Sequence, residues 1–200
     1  MADNADMPSS PDSTLPTPHR TDAARSDSAV RAQAAQLLIA PTALEALTLE
    51  EALTVVDYMA PLAIDAGVTI VYEGETDDGG FMLLVLAGEV TVESEPVQFD
   101  EDNLLVRVLG PGSLMGELSL LDGAPRSATC VASTDIFAAV LTRERFLELL
   151  RQDPRVGAKL LLAVSQRLAD HLRATTHKLK LFAQMNKVLS AELARNSARR

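Results

Sequence analysis

Short apolar runs separated by turn signals occupy residues 62–142, and they constrain the fold of this chain more than any other feature. Glycine, proline and aspartate punctuate the runs, as is typical of strands joined by turns. Regular spacing of short strands without helices between them predicts a closed roll or barrel rather than a parallel sheet. The polar and acidic stretch Ser94–Asn103 is predicted to be an exposed hairpin loop. The predicted strands are Thr69–Tyr72, Phe81–Leu86, Glu89–Glu93, Leu104–Leu109, Ser127–Ala132 and Ile136–Leu141.

Helical signals flank this β region. Thr48 and Glu51 have the spacing of a capping box, in which each side chain accepts a hydrogen bond from the other residue's backbone. Pro61 ends the helical pattern that follows them. The predicted helices are 29–40, 48–59 and 143–152.

Composition divides the chain into three parts. Residues 1–28 are rich in proline, serine, threonine and aspartate, and such a segment cannot bury enough apolar surface to offset its ordering entropy. We therefore expect a disordered tail over residues 1–28, a β-roll domain with flanking helices over 29–152, and a long C-terminal helix over 153–200.

The C-terminal segment has the pattern of a long amphipathic helix. Asp153-Pro154 is a helix-start signal, and no glycine or proline follows Gly157. One helix cannot bury an apolar stripe alone, so part of the stripe is predicted to pack on its own domain and the rest to form a parallel homodimer. Asn186 would be a polar seam position that fixes register. The seam residues, spaced alternately by four and three, are Leu161, Ser165, Leu168, Leu172, Thr175, Leu179, Phe182, Asn186, Leu189 and Leu193.

Charge is unevenly distributed along the chain. Residues 154–200 hold ten basic and two acidic residues, a net charge of +8, whereas residues 1–153 carry −18. Two interpretations follow. The basic helix is either a solvated face attracted to its own acidic domain, or a surface for an anionic partner.

Several classes of protein are not expected. No apolar stretch reaches the length of a membrane span, and the acidic, polar N-terminus is not a secretory signal, so we expect a cytoplasmic protein with no membrane contact. The single cysteine, Cys130, lies in an apolar run and is predicted to fill the core rather than act as a nucleophile. One cysteine is also too few for a cysteine-ligated zinc or iron–sulfur centre within one chain. No triad order, phosphate-binding loop or dinucleotide motif is present, so we expect neither an enzyme nor a metal or other cofactor.

The segment from Gly112 to Thr129 has the chemistry of a nucleotide site. Gly116 permits a tight turn, and the following Glu-Leu-Ser-Leu-Leu can form a helical turn whose free N–H groups attract an anion. Arg126 adds a fork suited to two phosphate oxygens, and Ser127 can donate another hydrogen bond. Glu117 beside such a site makes sense if the ligand also offers hydroxyl groups, as a ribose does. The alternative is a structural salt bridge between Glu117 and Arg126.

This segment resembles the phosphate-binding cassette of the cyclic nucleotide-binding domain family, which includes the catabolite activator protein, protein kinase A regulatory subunits and nucleotide-gated channels. The motif is Gly-Glu-Leu-x-Leu-Leu, a short gap, then Pro-Arg-Ser-Ala-Thr, and the likeness extends over about residues 47–181. It implies an eight-stranded jelly roll, also called a double-stranded β-helix, flanked by helices, with cyclic AMP or cyclic GMP as the ligand. The residues implied to bind the ribose and cyclic phosphate are Gly116, Glu117, Leu118, Ser119, Arg126 and Ser127.

The purine end of the site departs from the family pattern. In the activator protein a Thr-Ser pair on the long helix reads adenine, and an ungapped alignment puts His171 and Leu172 there. His171 could donate to a base edge or simply flank the seam, Leu172 fits seam packing, and Arg173 and Thr175 are nearby alternatives. The choice between cyclic AMP and cyclic GMP therefore stays open.

The family resemblance does not identify the molecule on which this chain acts. Only 18 residues follow Phe182, too few for a helix-turn-helix domain, so we do not expect sequence-specific DNA binding. We expect a sensor module that either acts on a separate protein partner or serves as a self-contained buffer of its ligand. The alternative is a degenerate domain that serves as a dimerisation or docking scaffold without ligand.

Overall fold

Eight strands in two antiparallel sheets form the centre of the molecule in the computed structural model, which describes residues 26–76, 80–94 and 105–197. One sheet has the strand order β1-β8-β3-β6 and the other β2-β7-β4-β5. This arrangement confirms the predicted jelly roll. The strands are β1 (Ala60–Ile64), β2 (Thr69–Val71), β3 (Phe81–Ala87), β4 (Val90–Ser94), β5 (Leu105–Leu109), β6 (Leu114–Met115), β7 (Thr129–Ala132) and β8 (Ile136–Thr142). The helices are α1 (Ser26–Leu38), α2 (Leu49–Val56), α3 (Glu117–Asp122), α4 (Arg143–Gln152) and α5 (Pro154–Ser197).

Two of the described strands were not predicted from the sequence pattern. The sequence pattern missed β1, because Pro61 reads as a breaker although proline is tolerated on an edge strand such as this one. It also missed β6, which has only two residues. The predicted hairpin loop lies outside the described residues apart from Ser94, which ends β4, and the predicted tail lies outside them apart from 26–28, which begin α1.

Strand β3 is buried on both faces and separates two apolar cores. Phe81, Leu83 and Val85 point into the core between the sheets. Met82 and Leu84 point the other way, into a core formed with the helices. This double burial explains why the strand is a continuous apolar run rather than an alternating one.

Local capping interactions set the starts of two helices. The predicted capping box is confirmed, since the Thr48 N–H donates to Glu51 Oε2 over 3.0 Å and the Glu51 N–H donates to Thr48 Oγ1 over 3.3 Å. At α4 a single side-chain cap is present, in which Thr142 Oγ1 accepts from the Arg145 N–H over 3.3 Å. Helix α2 ends at Val56, three residues earlier than the pattern predicts.

Helix α5 is divided into a packed half and an exposed half. Leu160, Ala163 and Val164 are buried in the helix-side core, where Gly157 lies close against Leu150 of α4. Residues 172–190 are all exposed in the single chain. That the exposed half forms a homodimer interface stays a prediction. Among the described residues, no helix is both long enough and apolar enough to cross a bilayer.

Candidate functional site

A cavity of about 540 Å³ lies between the second sheet and helix α5. Its floor is a row of four residues paired across neighbouring strands, Val71, Cys130, Val92 and Arg107. Leu168, His171, Leu172 and Thr175 of α5 line the opposite side. Helix α3 and the loop that follows it line a further wall. The volume is within the range typical of small-molecule sites.

Gly116 holds the tight turn that begins α3. Its φ of 80° is in the left-handed region, which favours glycine. A Cβ built here would lie 2.4 Å from the Phe81 carbonyl oxygen and 2.7 Å from Arg126 Nη1, so no side chain fits without movement. Residues 117–119 form the first turn of α3, where backbone N–H groups have no acceptor within the helix. The turn therefore places amide donors at the cavity wall.

Arg126 is anchored beside this turn and is only 6% exposed. Its Nη1 donates to the Phe81 carbonyl oxygen over 3.1 Å, and its guanidinium lies 4.0 Å above the centroid of the Phe81 ring. The backbone is also fixed, since the Arg126 N–H donates to the Glu75 carbonyl oxygen over 2.9 Å. The guanidinium is therefore a pre-positioned cation at the cavity wall, the feature that an anionic ligand requires.

Glu117 connects α3 to helix α5. Its carboxylate is buried, and its Oε1 lies 3.4 Å from Arg167 Nε and 3.8 Å from His171 Nδ1. Arg167 also donates to the carbonyl oxygens of Thr42 and Leu114. The acid thus lines the same cavity as Arg126, and its charge is compensated from α5.

The chain is similar to known proteins in both sequence and fold. Residues 61–153 match the family model described as "Cyclic nucleotide-binding domain". A solved structure described as the N-terminal domain of a transcriptional regulator from Streptomyces coelicolor A3(2) is 31% identical, with a TM-score of 0.57, over 68% of this chain and 94% of that chain. The chain belongs to the cyclic nucleotide-binding domain family. The α3 turn, Glu117 and Arg126 all lie within the residues that the family model matches.

Two further relatives define how far the similarity to this cyclic nucleotide-binding domain extends. A cyclic nucleotide-binding domain from Methylobacillus flagellatus KT is 28% identical, with a TM-score of 0.61, over 75% of this chain and 82% of that chain. The Cyclic AMP receptor protein of Thermus thermophilus is 38% identical over 104 residues, which are 52% of this chain and 46% of the relative. The chain thus spans about half the length of the curated relatives it matches.

All eight residues that the sequence singled out line this one cavity of the cyclic nucleotide-binding domain. Three of them, Glu117, Ser119 and Arg126, are buried, and Ser119 Oγ donates to the Gly116 carbonyl oxygen over 3.2 Å. The others are more accessible to an entering ligand. The eight are Gly116, Glu117, Leu118, Ser119, Arg126, Ser127, His171 and Leu172.

Sequence reasoning missed two arginines, of which Arg107 lines this cavity and Arg167 contacts the cavity residue Glu117 from outside the lining. Arg167 pairs with Glu117, and it precedes His171 by one helical turn, so the helical period could have placed it on the same face. Arg107 lines the floor together with Leu109, and strand alternation puts these two residues on one face of β5. Neither arginine belongs to the cassette motif, which explains why the motif did not find them.

The cavity alters the ionisation of two of its side chains. Burial, followed by the charge of Arg167, lowers the pKa of His171 below its usual 6.5. Burial raises the pKa of the Cys130 thiol to about 11, so this thiol stays protonated and neutral at physiological pH. The neutral imidazole has one donor and one acceptor nitrogen for a ligand.

Proposed function

We propose that this chain is a sensor module that binds a cyclic mononucleotide in the cavity beside α3. One observation carries the proposal, which is that a buried, anchored guanidinium and a buried carboxylate line the same cavity as a turn of amide donors. Arg126 would pair with the cyclic phosphate, aided by the Ser127 hydroxyl and the amides of the first turn of α3. Glu117 would accept a hydrogen bond from the ribose hydroxyl. This combination suits a ligand that has an anion and a hydroxyl donor side by side.

The same contacts suggest how binding would be transmitted. Glu117 already reaches Arg167 and His171 on α5, so a ligand held by α3 would also contact the long helix. A ligand that binds the closed arrangement of cassette and helix more tightly would shift the population toward it by that difference in affinity. The exposed apolar stripe of α5 would then report the change, in a homodimer or to a downstream protein.

Calorimetric titration with cyclic AMP and cyclic GMP tests ligand binding. We expect micromolar or tighter affinity for at least one of them. Replacing Arg126 by leucine should weaken binding by roughly 100-fold or more, because two charge-assisted hydrogen bonds to phosphate are lost. Arg151→Gln removes a positive charge from an exposed part of α4 that does not line the cavity, and it should leave affinity unchanged. Thermal melts monitored by circular dichroism show whether the Arg126 variant remains folded.

A second candidate function is favoured by the exposed stripe on α5. Leu172, Leu179 and Phe182 are 69%, 63% and 61% exposed, which is unusual for large apolar residues unless a partner covers them. This surface would support a dimerisation or docking scaffold with or without ligand. A dimer measured by light scattering, combined with flat titrations for every cyclic nucleotide, would favour the scaffold.

A further inference from the structure

The exposed half of α5 carries more apolar surface than the predicted seam. Leu181, Met185 and Val188 are 46%, 58% and 59% exposed, and none of them belongs to the seam. An α-helix turns by about 100° per residue, so these three side chains project within roughly 60° of one another. Together they form a second face of α5, distinct from the seam.

The second face points away from the seam. The seam residues Leu179, Phe182 and Leu189 lie roughly 100° around the helix from it. A two-stranded coiled coil buries only the narrow stripe of its a and d positions. Leu181 and Val188 occupy c positions of the heptad whose a and d positions form the seam, so they lie outside that stripe. A homodimer through the seam would therefore leave them exposed.

The spacing of the second face is that of a surface that packs against another helix. Lys178, Leu181, Met185 and Val188 are separated by three, four and three residues, which repeats the heptad spacing of the seam on another side of the helix. Exposed apolar patches of this kind mark sites of interaction. A helix that lies on a membrane has its charges on the face opposite its apolar side, whereas Lys178 projects between the second face and the seam. The pattern therefore favours a helix as the partner over a lipid surface.

The charge around the second face has one sign. Residues 171–191 include four lysines or arginines and no aspartate or glutamate. Lys178 projects at one edge of the second face, and Lys180 and Lys187 project beyond its other edge. A second copy of α5 on this face would bring like charges together, whereas a helix with acidic flanks would place opposite charges beside these lysines.

The seam is better suited than the second face to pairing with a second copy. Its e positions are uncharged, so Lys178 at a g position meets no lysine across a parallel homodimer. The domain of the same chain does not cover the second face either, because residues 172–190 are all exposed. The two faces therefore fit different partners. The uncharged e positions are Thr176, Ala183 and Ser190.

We propose that the second face of α5 binds an amphipathic helix with acidic flanks from a partner protein, while the seam stays available for the homodimer. The inference extends the proposed function to a surface outside the cavity, and it does not require that the cavity binds a ligand. A partner bound there would contact the same helix that reaches Glu117 through Arg167. The cassette and the partner would thus be joined by one continuous helix.

Fluorescence anisotropy of two labelled synthetic peptides, titrated with the full chain, tests the chemistry of the partner. One peptide has about four heptads with leucine at a and d and glutamate at e and g, and the other has lysine in place of every glutamate. The acidic peptide should bind with a micromolar Kd, and the basic peptide should bind at least roughly 10-fold more weakly. Affinity for the acidic peptide should fall as salt rises from about 0.05 to 0.5 M, because screening weakens contacts between exposed charges.

A double variant, Leu181→Gln with Val188→Gln, tests the apolar part of the second face. Both side chains are exposed in the single chain, so the variant should fold, and circular dichroism checks this. Its affinity for the acidic peptide should fall by roughly 10-fold or more, because two apolar contacts are lost. Leu162→Gln is the matched control, since Leu162 is 57% exposed on the same helix but projects outside both faces. The control should keep the peptide affinity, and the double variant should keep the oligomeric state that light scattering gives for the unmodified chain.

Several outcomes would overturn this inference without touching the proposed function. Equal affinity for the two peptides, or unchanged affinity in the double variant, would contradict it. A changed oligomeric state in the double variant would assign the second face to a contact between copies of this chain. If neither peptide binds, the inference is wrong, and sedimentation with vesicles of phosphatidylserine and phosphatidylcholine shows whether a lipid surface is the occupant instead. A chain that binds the acidic peptide but no cyclic nucleotide would retain this inference and lose the proposed function.

Discussion

Replacement of Gly116 by alanine tests whether the turn before α3 depends on its close approach to the Phe81 backbone and the Arg126 side chain. The residue has a φ of 80°, and a Cβ at this position would lie 2.4 Å from the carbonyl oxygen of Phe81. Phe81 begins the doubly buried strand β3, so its carbonyl cannot move without disturbing both cores. Gly67 is a matched control, because its φ is 83° and nothing lies within 4 Å of a Cβ built there.

The expected losses of unfolding free energy have two contributions, the strain of a left-handed backbone and the overlap of the new Cβ with its neighbours. Both alanines must adopt a left-handed conformation, which costs about 1–2 kcal/mol. Only the alanine at position 116 must also relieve an overlap, which costs about 1–3 kcal/mol more by analogy with overpacked cores. The loss of unfolded-state entropy on replacing glycine is the same for both and cancels in the difference. Gly116→Ala should therefore lose about 2–5 kcal/mol and Gly67→Ala about 1–2 kcal/mol of unfolding free energy.

Urea denaturation followed by circular dichroism measures both free energies of unfolding. A difference of about 1–3 kcal/mol corresponds to a difference in Tm of about 2–12 °C for a chain of this size. The position 116 variant should also bind cyclic nucleotide more weakly, because Arg126 Nη1 lies 2.7 Å from the new Cβ. If the two variants lose equal stability, the close approach at Gly116 has no energetic role and the reasoning is refuted.

Two further predictions concern the contacts between α3 and α5. Arg167→Met should lower the free energy of unfolding by about 1–3 kcal/mol, because Arg167 compensates the buried Glu117 and its removal leaves that carboxylate without this partner. Arg173→Met, which breaks an exposed pair with Asp170, should change it by under about 0.5 kcal/mol, and equal effects in urea denaturation would contradict the assignment. The pKa of His171 is lower in the folded chain than in the unfolded chain, so as pH falls the unfolded chain binds a proton at this histidine at a higher pH. The free energy of unfolding therefore decreases as pH falls below about 6.5. His171→Gln should reduce that loss between about pH 7 and the folded-state pKa, and parallel stability profiles for the two proteins would count against it.

The sequence alone was sufficient to predict the features that depend on interactions between residues close together in the chain. The capping box at Thr48 joins residues three apart, and the left-handed φ at position 116 is a local preference of glycine, so both were visible in the chain. Strand β1 was missed for the opposite reason. Pro61 breaks a helix or a central strand, and only the sheet order shows that β1 is an edge strand where proline is tolerated.

Some residues of the candidate site were likewise predicted from the sequence, and others were found only in the structure. Gly116, Glu117, Arg126 and Ser127 lie within a segment of twelve residues, and their spacing and chemistry singled them out together. The strand pattern therefore predicted a closed roll or barrel, and the cassette motif indicated the family, whose resemblance implied the jelly roll. Tertiary structure alone decided that Arg167 compensates Glu117 and that Arg107 ends the cavity floor. Those contacts join segments far apart in the chain, and they depend on how α5 packs over the sheet and on the pairing of β5, which no local propensity encodes.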